Sequence, residues 1–110
     1  MKILHDLAEY TALVEASPAL LCYFSTPECN VCKVLKPKVI ELVSGKFPQM
    51  NTAWINVERS PVIAGQNRVF SVPTLIIFFD GKEALRKSRN IHLSALEEEI
   101  GRIYHHMFRT

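Results

Sequence analysis

Cysteine is scarce in this chain, three residues in 110, and the scarcity narrows what the sulfurs can do. A structural zinc site wants about four ligands. No second C-x-x-C exists to supply them, so a third ligand would have to come from Cys22 or a distant histidine. Only a dimer sharing one metal through its thiols escapes that count. Haem attachment wants a histidine after the second cysteine of the pair, where Lys33 stands. Neither a metal nor an organic cofactor is therefore expected. An excess of one charge is lacking too: 13 Lys and Arg face 11 Asp and Glu, a net charge of +2. With no basic stripe interleaved with aromatics, a nucleic-acid partner is not expected. Long hydrophobic runs are missing as well. Ala19 to Phe24 and Leu75 to Phe79 are only strand-sized, so no membrane association is expected. Met1 to Asp6 has neither an uninterrupted apolar segment nor a small-residue cleavage site, which argues against a secretory signal and for the cytoplasm. There thiols are kept reduced, and a C-x-x-C is catalytic or metal-binding more often than a structural staple. Repeats, linkers and low-complexity stretches are absent, and 110 residues at 48% apolar content read as one domain, 1–110.

What is present is an alternation of helix and strand signals. Asp6 with Glu9 makes a capping-box pattern for a first helix to Glu15, with Leu7, Tyr10 and Val14 on one face. Ser17-Pro18 ends it. Whether Lys2 to Leu4 forms a short edge strand beforehand is open. Ala19 to Phe24 is apolar without alternation, as in a strand covered on both faces. A helix through Lys33 to Val43 places Cys32, Leu35, Val39 and Leu42 on one face, kinks at Pro37 and stops near Gly45. Thr52 to Val57 is a second strand. Ser60-Pro61 opens a short helix to about Arg68. Thr74 to Phe79 is a third strand, Asp80-Gly81 a hairpin turn and Lys82 to Lys87 a polar edge strand. Ser94 with Glu97 caps a last helix whose apolar face is Leu96, Ile100, Ile103 and Met107.

The chemistry concentrates in Cys29-Asn30-Val31-Cys32. A strand ends just before this stretch and a helix opens on it. Thiols three positions apart then meet across one helical turn and can close a disulfide. The working species in thiol exchange is the thiolate. A cysteine at a helix N-terminus sits near unpaired backbone donors and the positive end of the helix dipole, which favour the anion. Cys29 holds that position and is the expected nucleophile, with a modest further bias from Lys33. Cys32, one turn in and more buried, is the expected resolving thiol.

A second feature joins the first. Val72-Pro73-Thr74 leads into the third strand, and a proline entering a central strand is unusual unless a bend is wanted. Phe24, Cys29, Cys32, Lys33, Pro37, Val72-Pro73-Thr74 and Asp80-Gly81 follow one another in an order and at separations that closely resemble the thioredoxin family, over roughly residues 3–108. The resemblance implies an α/β, thioredoxin-like fold, a four- or five-stranded mixed sheet between helices. It implies a cis bond before Pro73, facing Cys29, and β-type pairing of a substrate peptide with the backbone of Val72. It also implies protein disulfides as substrates and a reductase of the thioredoxin-reductase type as electron donor. Departures from the family pattern modulate the site. Glu28 stands where thioredoxins usually carry Trp, and its charge beside Cys29 opposes the thiolate. Asn30-Val31 replaces Gly-Pro. The family's buried acid falls at Tyr23, a phenol that cannot readily take a proton from Cys32 at neutral pH, and its lysine partner falls at Trp54. A glycine near the substrate groove falls at about Arg89, which would crowd or charge the docking surface.

The expected protein is therefore a thiol–disulfide oxidoreductase, working as a reductase and as a monomer, with a dimer left open. The competing class is a thioredoxin-fold docking module whose thiols are incidental. Cys22, mid-strand, reads as a small core hydrophobe. Tyr23 and Trp54 read as core. Arg86, Lys87 and Arg89 read as a solvated edge, with docking of an acidic partner as the sharper alternative.

Overall fold

A computed structural model describes residues 1–109. Along the chain the elements are β1 (Lys2–Ile3), α1 (Leu7–Ala16), β2 (Ala19–Ser25), α2 (Asn30–Lys46), β3 (Asn51–Asn56), α3 (Pro61–Gln66), β4 (Thr74–Phe79), β5 (Lys82–Ser88) and α4 (Leu93–Phe108). The strands form one five-stranded sheet in the order β1-β3-β2-β4-β5. β1, β3 and β2 run parallel, whereas β4 is antiparallel to β2 and β5 antiparallel to β4. The open question of a first edge strand is thus answered by Lys2–Ile3, paired with Ala53 and Trp54.

β2 is the axis of the fold. All seven of its residues are buried, as an unalternating apolar strand between two helical layers must be. Its side chains still alternate in direction. Ala19, Leu21 and Tyr23 join Leu75, Ile77 and Phe79 under α2 and α4, which contribute Cys32, Leu35, Val39, Leu96, Ile100 and Tyr104. Leu20, Cys22 and Phe24 join Ala53, Ile55, Ile76 and Phe78 on the opposite face, under Tyr10 of α1 and Ile63 of α3. Among the described residues no buried side-chain nitrogen or oxygen lacks a hydrogen-bond partner.

Three helix expectations are corrected. Gly45 does not stop α2, which runs on to Lys46 with Phe47 as its C-cap. Continuing past Gly45 brings in Phe47, which is buried with its ring 5.0 Å from that of Tyr104, and burial of that size outweighs the cost of a helical glycine. On the same helix Val43, rather than Leu42, is the fully buried member of the stripe. Ser94 is not a cap: α4 begins at Leu93 with His92 as N-cap and no side-chain capping bond. That start buries Leu96 and Ile100, and one turn further the face turns to Tyr104 while Met107 is left exposed. At the first helix the reading holds in part. The Asp6 side chain accepts from the Glu9 N–H at 2.8 Å, but the Glu9 carboxylate reaches back to the N–H of His5 rather than of Asp6. The hairpin turn is as expected, Asp80 and Gly81 both holding positive φ, 56° and 78°.

Candidate active site

The C-terminal end of β2 and the start of β4 lie together, because the antiparallel register sets Phe24 opposite Thr74. The connection out of β2 carries the dithiol, and the segment into β4 carries Pro73, so topology alone brings both to one end of the sheet. Cys29 is the N-cap of the 17-residue helix α2, with extended backbone angles, and its Sγ accepts from the N–H of Cys32 at 3.2 Å. The two cysteines form a disulfide with Cα atoms 5.2 Å apart. Cys29 is half-buried, whereas Cys32 is only 2% exposed. An outer sulfur that accepts a helix N–H and an inner, nearly buried sulfur one turn below it leave Cys29 the more accessible of the pair.

The Val72–Pro73 bond is cis, and Pro73 is buried. Two hydrogen bonds fix this segment. Thr74 Oγ1 donates to the Ser71 carbonyl at 2.7 Å, and the Arg89 N–H donates to the Pro73 carbonyl at 3.0 Å. Val72 lies just outside the β4 ladder, whose first residue is Thr74.

Tyr23 sits beneath the dithiol, fully buried, and its hydroxyl donates to the backbone carbonyl of Cys32 at 2.8 Å. Burial pushes its phenol up to about 12, so it is neutral at physiological pH and offers Cys32 no base. Its contact is instead a tie between β2 and the first turn of α2. Next to it in register, Trp54 is half-buried rather than enclosed. Its Nε1 donates to Ser25 Oγ at 2.6 Å, and Lys36 Nζ lies 4.2 Å from its ring centroid. Trp54 and Lys36, with Lys33, Ser25 and Pro27, line an open cleft of about 380 Å³ that reaches Cys32. Sequence reasoning missed Lys36. The available signal was its spacing, four residues after Cys32 on the same helix.

Glu28 is exposed and close to Glu58, whose pKa is raised because a proton on it can bond the Glu28 carboxylate and because that neighbouring charge opposes a second one. The acidic rim beside Cys29 is thus a pair of carboxyls rather than one. Of the three basic residues near the sheet edge, Arg86 is held by Glu83 at 2.8 Å and Lys87 by Glu99 at 2.8 Å, so neither is a bare solvated charge. Among the described residues no group of three or more His, Cys, Asp or Glu is arranged to hold a metal, and no helix is long and apolar enough to cross a membrane.

A helix-capped dithiol at the same end of a five-stranded α/β sheet as a cis-proline segment defines a thiol–disulfide oxidoreductase. The chain belongs to the thioredoxin family: the Thioredoxin family model matches residues 2–102. It is 34% identical over 101 residues to the thioredoxin-like protein YdfQ of Bacillus subtilis, covering 92% of this chain and 89% of that one. It is 39% identical over 71 residues to the thioredoxin of Chlamydia trachomatis, covering 64% of this chain and 69% of that one. Among solved structures, oxidised mitochondrial thioredoxin 3 of Saccharomyces cerevisiae superposes with a TM-score of 0.84 at 25% identity, covering 93% of this chain and 94% of that one. Fasciola hepatica thioredoxin gives 0.83 at 27% identity, covering 93% and 98%. Membership implies disulfides of other proteins as substrates.

Proposed function

We propose that this chain reduces disulfides of client proteins, with Cys29 as nucleophile and Cys32 as resolving thiol. One observation carries the assignment: Cys29 Sγ caps α2 and accepts from a backbone N–H, while Cys32 is nearly sealed. The Cys29 thiolate attacks one sulfur of the client disulfide. A Cys29–client disulfide forms, and the displaced client thiolate takes a proton from solvent. Cys32, giving its proton to water, then attacks Cys29 Sγ. The intramolecular disulfide re-forms and the second client thiolate leaves. The client has gained two electrons and the dithiol has lost two. A thioredoxin-reductase-type donor would return them.

The roles of the neighbours follow from their positions. Val72 and Pro73 form the wall against which an extended client segment lies, Val72 offering its backbone for pairing, with Thr74 bracing the turn through its bond to Ser71. Lys33 favours a thiolate and Glu28 opposes one, so they tune the site in opposite senses. Tyr23 modulates it by holding the Cys32 turn to the sheet. We place this activity in the cytoplasm, on a monomer of one domain. The test is dithiothreitol-dependent reduction of insulin. Wild type should accelerate it well above buffer and Cys29→Ser should not; a wild-type rate equal to buffer overturns the reading. The potential of the dithiol gives the direction. A value near about −270 mV marks a reductant, and a value far above it an oxidant or isomerase.

A further inference from the structure

We propose that the groove beside Val31 binds a client segment that is both acidic and apolar, and so selects which disulfides reach Cys29. This rests on the reading of the chain as exchanging disulfides with client proteins. The groove encloses about 710 Å³ between α2, which supplies Val31, Val34 and Lys38, and the β5–α4 connection, which supplies Arg89, Ile91 and His92. None of the described residues lining it is acidic. Asn30 and Val31, the two residues between the cysteines, line the groove, so a segment held there lies next to the dithiol motif.

Two features set this surface apart from an ordinary solvated helix. Val31 and Val34 are 62% and 60% exposed although they flank the buried stripe of Cys32, Leu35 and Val39. They serve no internal packing and are placed for an external apolar partner. The cations are also uncommitted. Arg86 and Lys87 are consumed by Glu83 and Glu99, whereas among the described residues the side chains of Lys38 and Arg89 enter no hydrogen bond or ion pair.

Arg89 is held in place by its backbone. Its φ is 63°, in the left-handed region. Arg68 and Arg109 have similar angles just beyond helices and Asp80 has one in the hairpin turn, but Arg89 closes no helix and makes no hairpin. Its N–H is bonded to the carbonyl of Pro73. The backbone that carries this exposed charge is thus anchored to the Pro73 segment, at the same end of the sheet as the dithiol. The N-terminus of α4, with no side-chain cap, opens on the same groove through Leu93 and Ser94 and adds to the positive field. Two apolar side chains between unpaired cations match a segment with carboxylates around an apolar residue, and they repel a basic one.

The test uses two disulfide-bonded peptides that differ only in carrying Asp or Lys beside an apolar residue next to the cysteine. With the reduced chain at low ionic strength, kcat/KM for the acidic peptide should exceed that for the basic one by about tenfold, shrinking as salt screens the groove. Arg89→Asn, a residue that tolerates the left-handed conformation, should cut the ratio about threefold, and Arg89→Asn with Lys38→Gln should bring it close to one. Binding is read separately on the oxidised, isotope-labelled chain with the acidic peptide in which serine replaces cysteine. Amide shifts should concentrate at Val31, Val34 and residues 89–93. Equal rates for the two peptides, or shifts that avoid the groove, overturn the proposal. Hydroxyethyl disulfide, uncharged and small, reports on the dithiol alone. If it and both peptides fail to exchange while the shifts appear, the oxidoreductase reading falls and the groove stands.

Discussion

Two cysteine environments lie on either side of one sheet. Cys22 points from β2 into the layer under α1 and α3, fully buried between Ala53 and Ile76 in register. Burial there pushes its thiol up to about 12. Cys29 follows the same strand by four residues, yet its sulfur caps a 17-residue helix and accepts a backbone N–H. The side-chain chemistry is identical and the environments are opposite. In one the anion would be buried with only the Tyr10 hydroxyl beside it, and in the other it faces the donors of a helix N-terminus. Reactivity in this fold is therefore decided by where β2 stops and α2 begins, not by the number of thiols.

The sharpest test of that contrast is on the helix-capped side. Cys29→Ser should abolish turnover of protein disulfides, leaving only the background rate, because no other sulfur has both access and donors. Cys32→Ser should also end turnover but by a different route. The first attack proceeds and resolution does not, so client proteins accumulate in disulfide linkage to Cys29. Gel shifts under non-reducing conditions, followed by mass mapping of the linked peptide, distinguish the two. Linkage through Cys32 in the Cys29→Ser chain would reverse the assigned roles.

The contrast also marks what could be read from the sequence. The dithiol, the Val72-Pro73-Thr74 segment and the Asp80-Gly81 turn were legible because each imposes a local rule: a spacing, an imide bond, a pair of positive φ angles. β2 was legible because a strand buried on both faces has no polar positions. The helix ends were not. Gly45 and the Ser94–Glu97 pair carry local signals worth about 1 kcal/mol each, and burial of Phe47, Leu96 and Tyr104 outweighs them. The outward placement of Val31 and Val34 was not legible either. Only the position of the buried stripe shows that they face outwards. Lys36 could not be linked to Trp54 until the parallel pairing of β2 with β3 set Trp54 beside Tyr23.

Tyr23 tests the boundary between the two environments, since it belongs to the buried strand and touches the reactive turn. Tyr23→Phe removes one buried hydrogen bond to the Cys32 carbonyl and should cost about 1 kcal/mol of stability in urea unfolding. Its phenol is raised from 10.0 to about 12 in the folded chain. The unfolded chain therefore releases this proton first. The stability tied to it is complete below pH 10 and is lost as pH rises towards 12. Wild type should lose stability across that window more steeply than Tyr23→Phe. Equal slopes would mean that the hydroxyl is not shielded in the folded state.

Cys22 gives the smallest expected effect and the most direct challenge to the comparison. Cys22→Ala should leave disulfide exchange at neutral pH unchanged, because the sulfur lies in the layer away from the dithiol and takes no part in either attack. In the reduced, folded chain at pH 7, iodoacetamide should modify Cys29 readily and Cys22 only after denaturant opens the back layer. The folded thiol is raised from 9.0 to about 12, so its contribution to stability is full below pH 9 and drains away as pH climbs towards 12. Alkaline unfolding of Cys22→Ala should accordingly begin at higher pH than that of wild type. Alkylation of Cys22 at a rate near that of Cys29 would show that the sheet does not separate the two sulfurs. Reactivity would then have to be explained by something other than the helix that Cys29 caps.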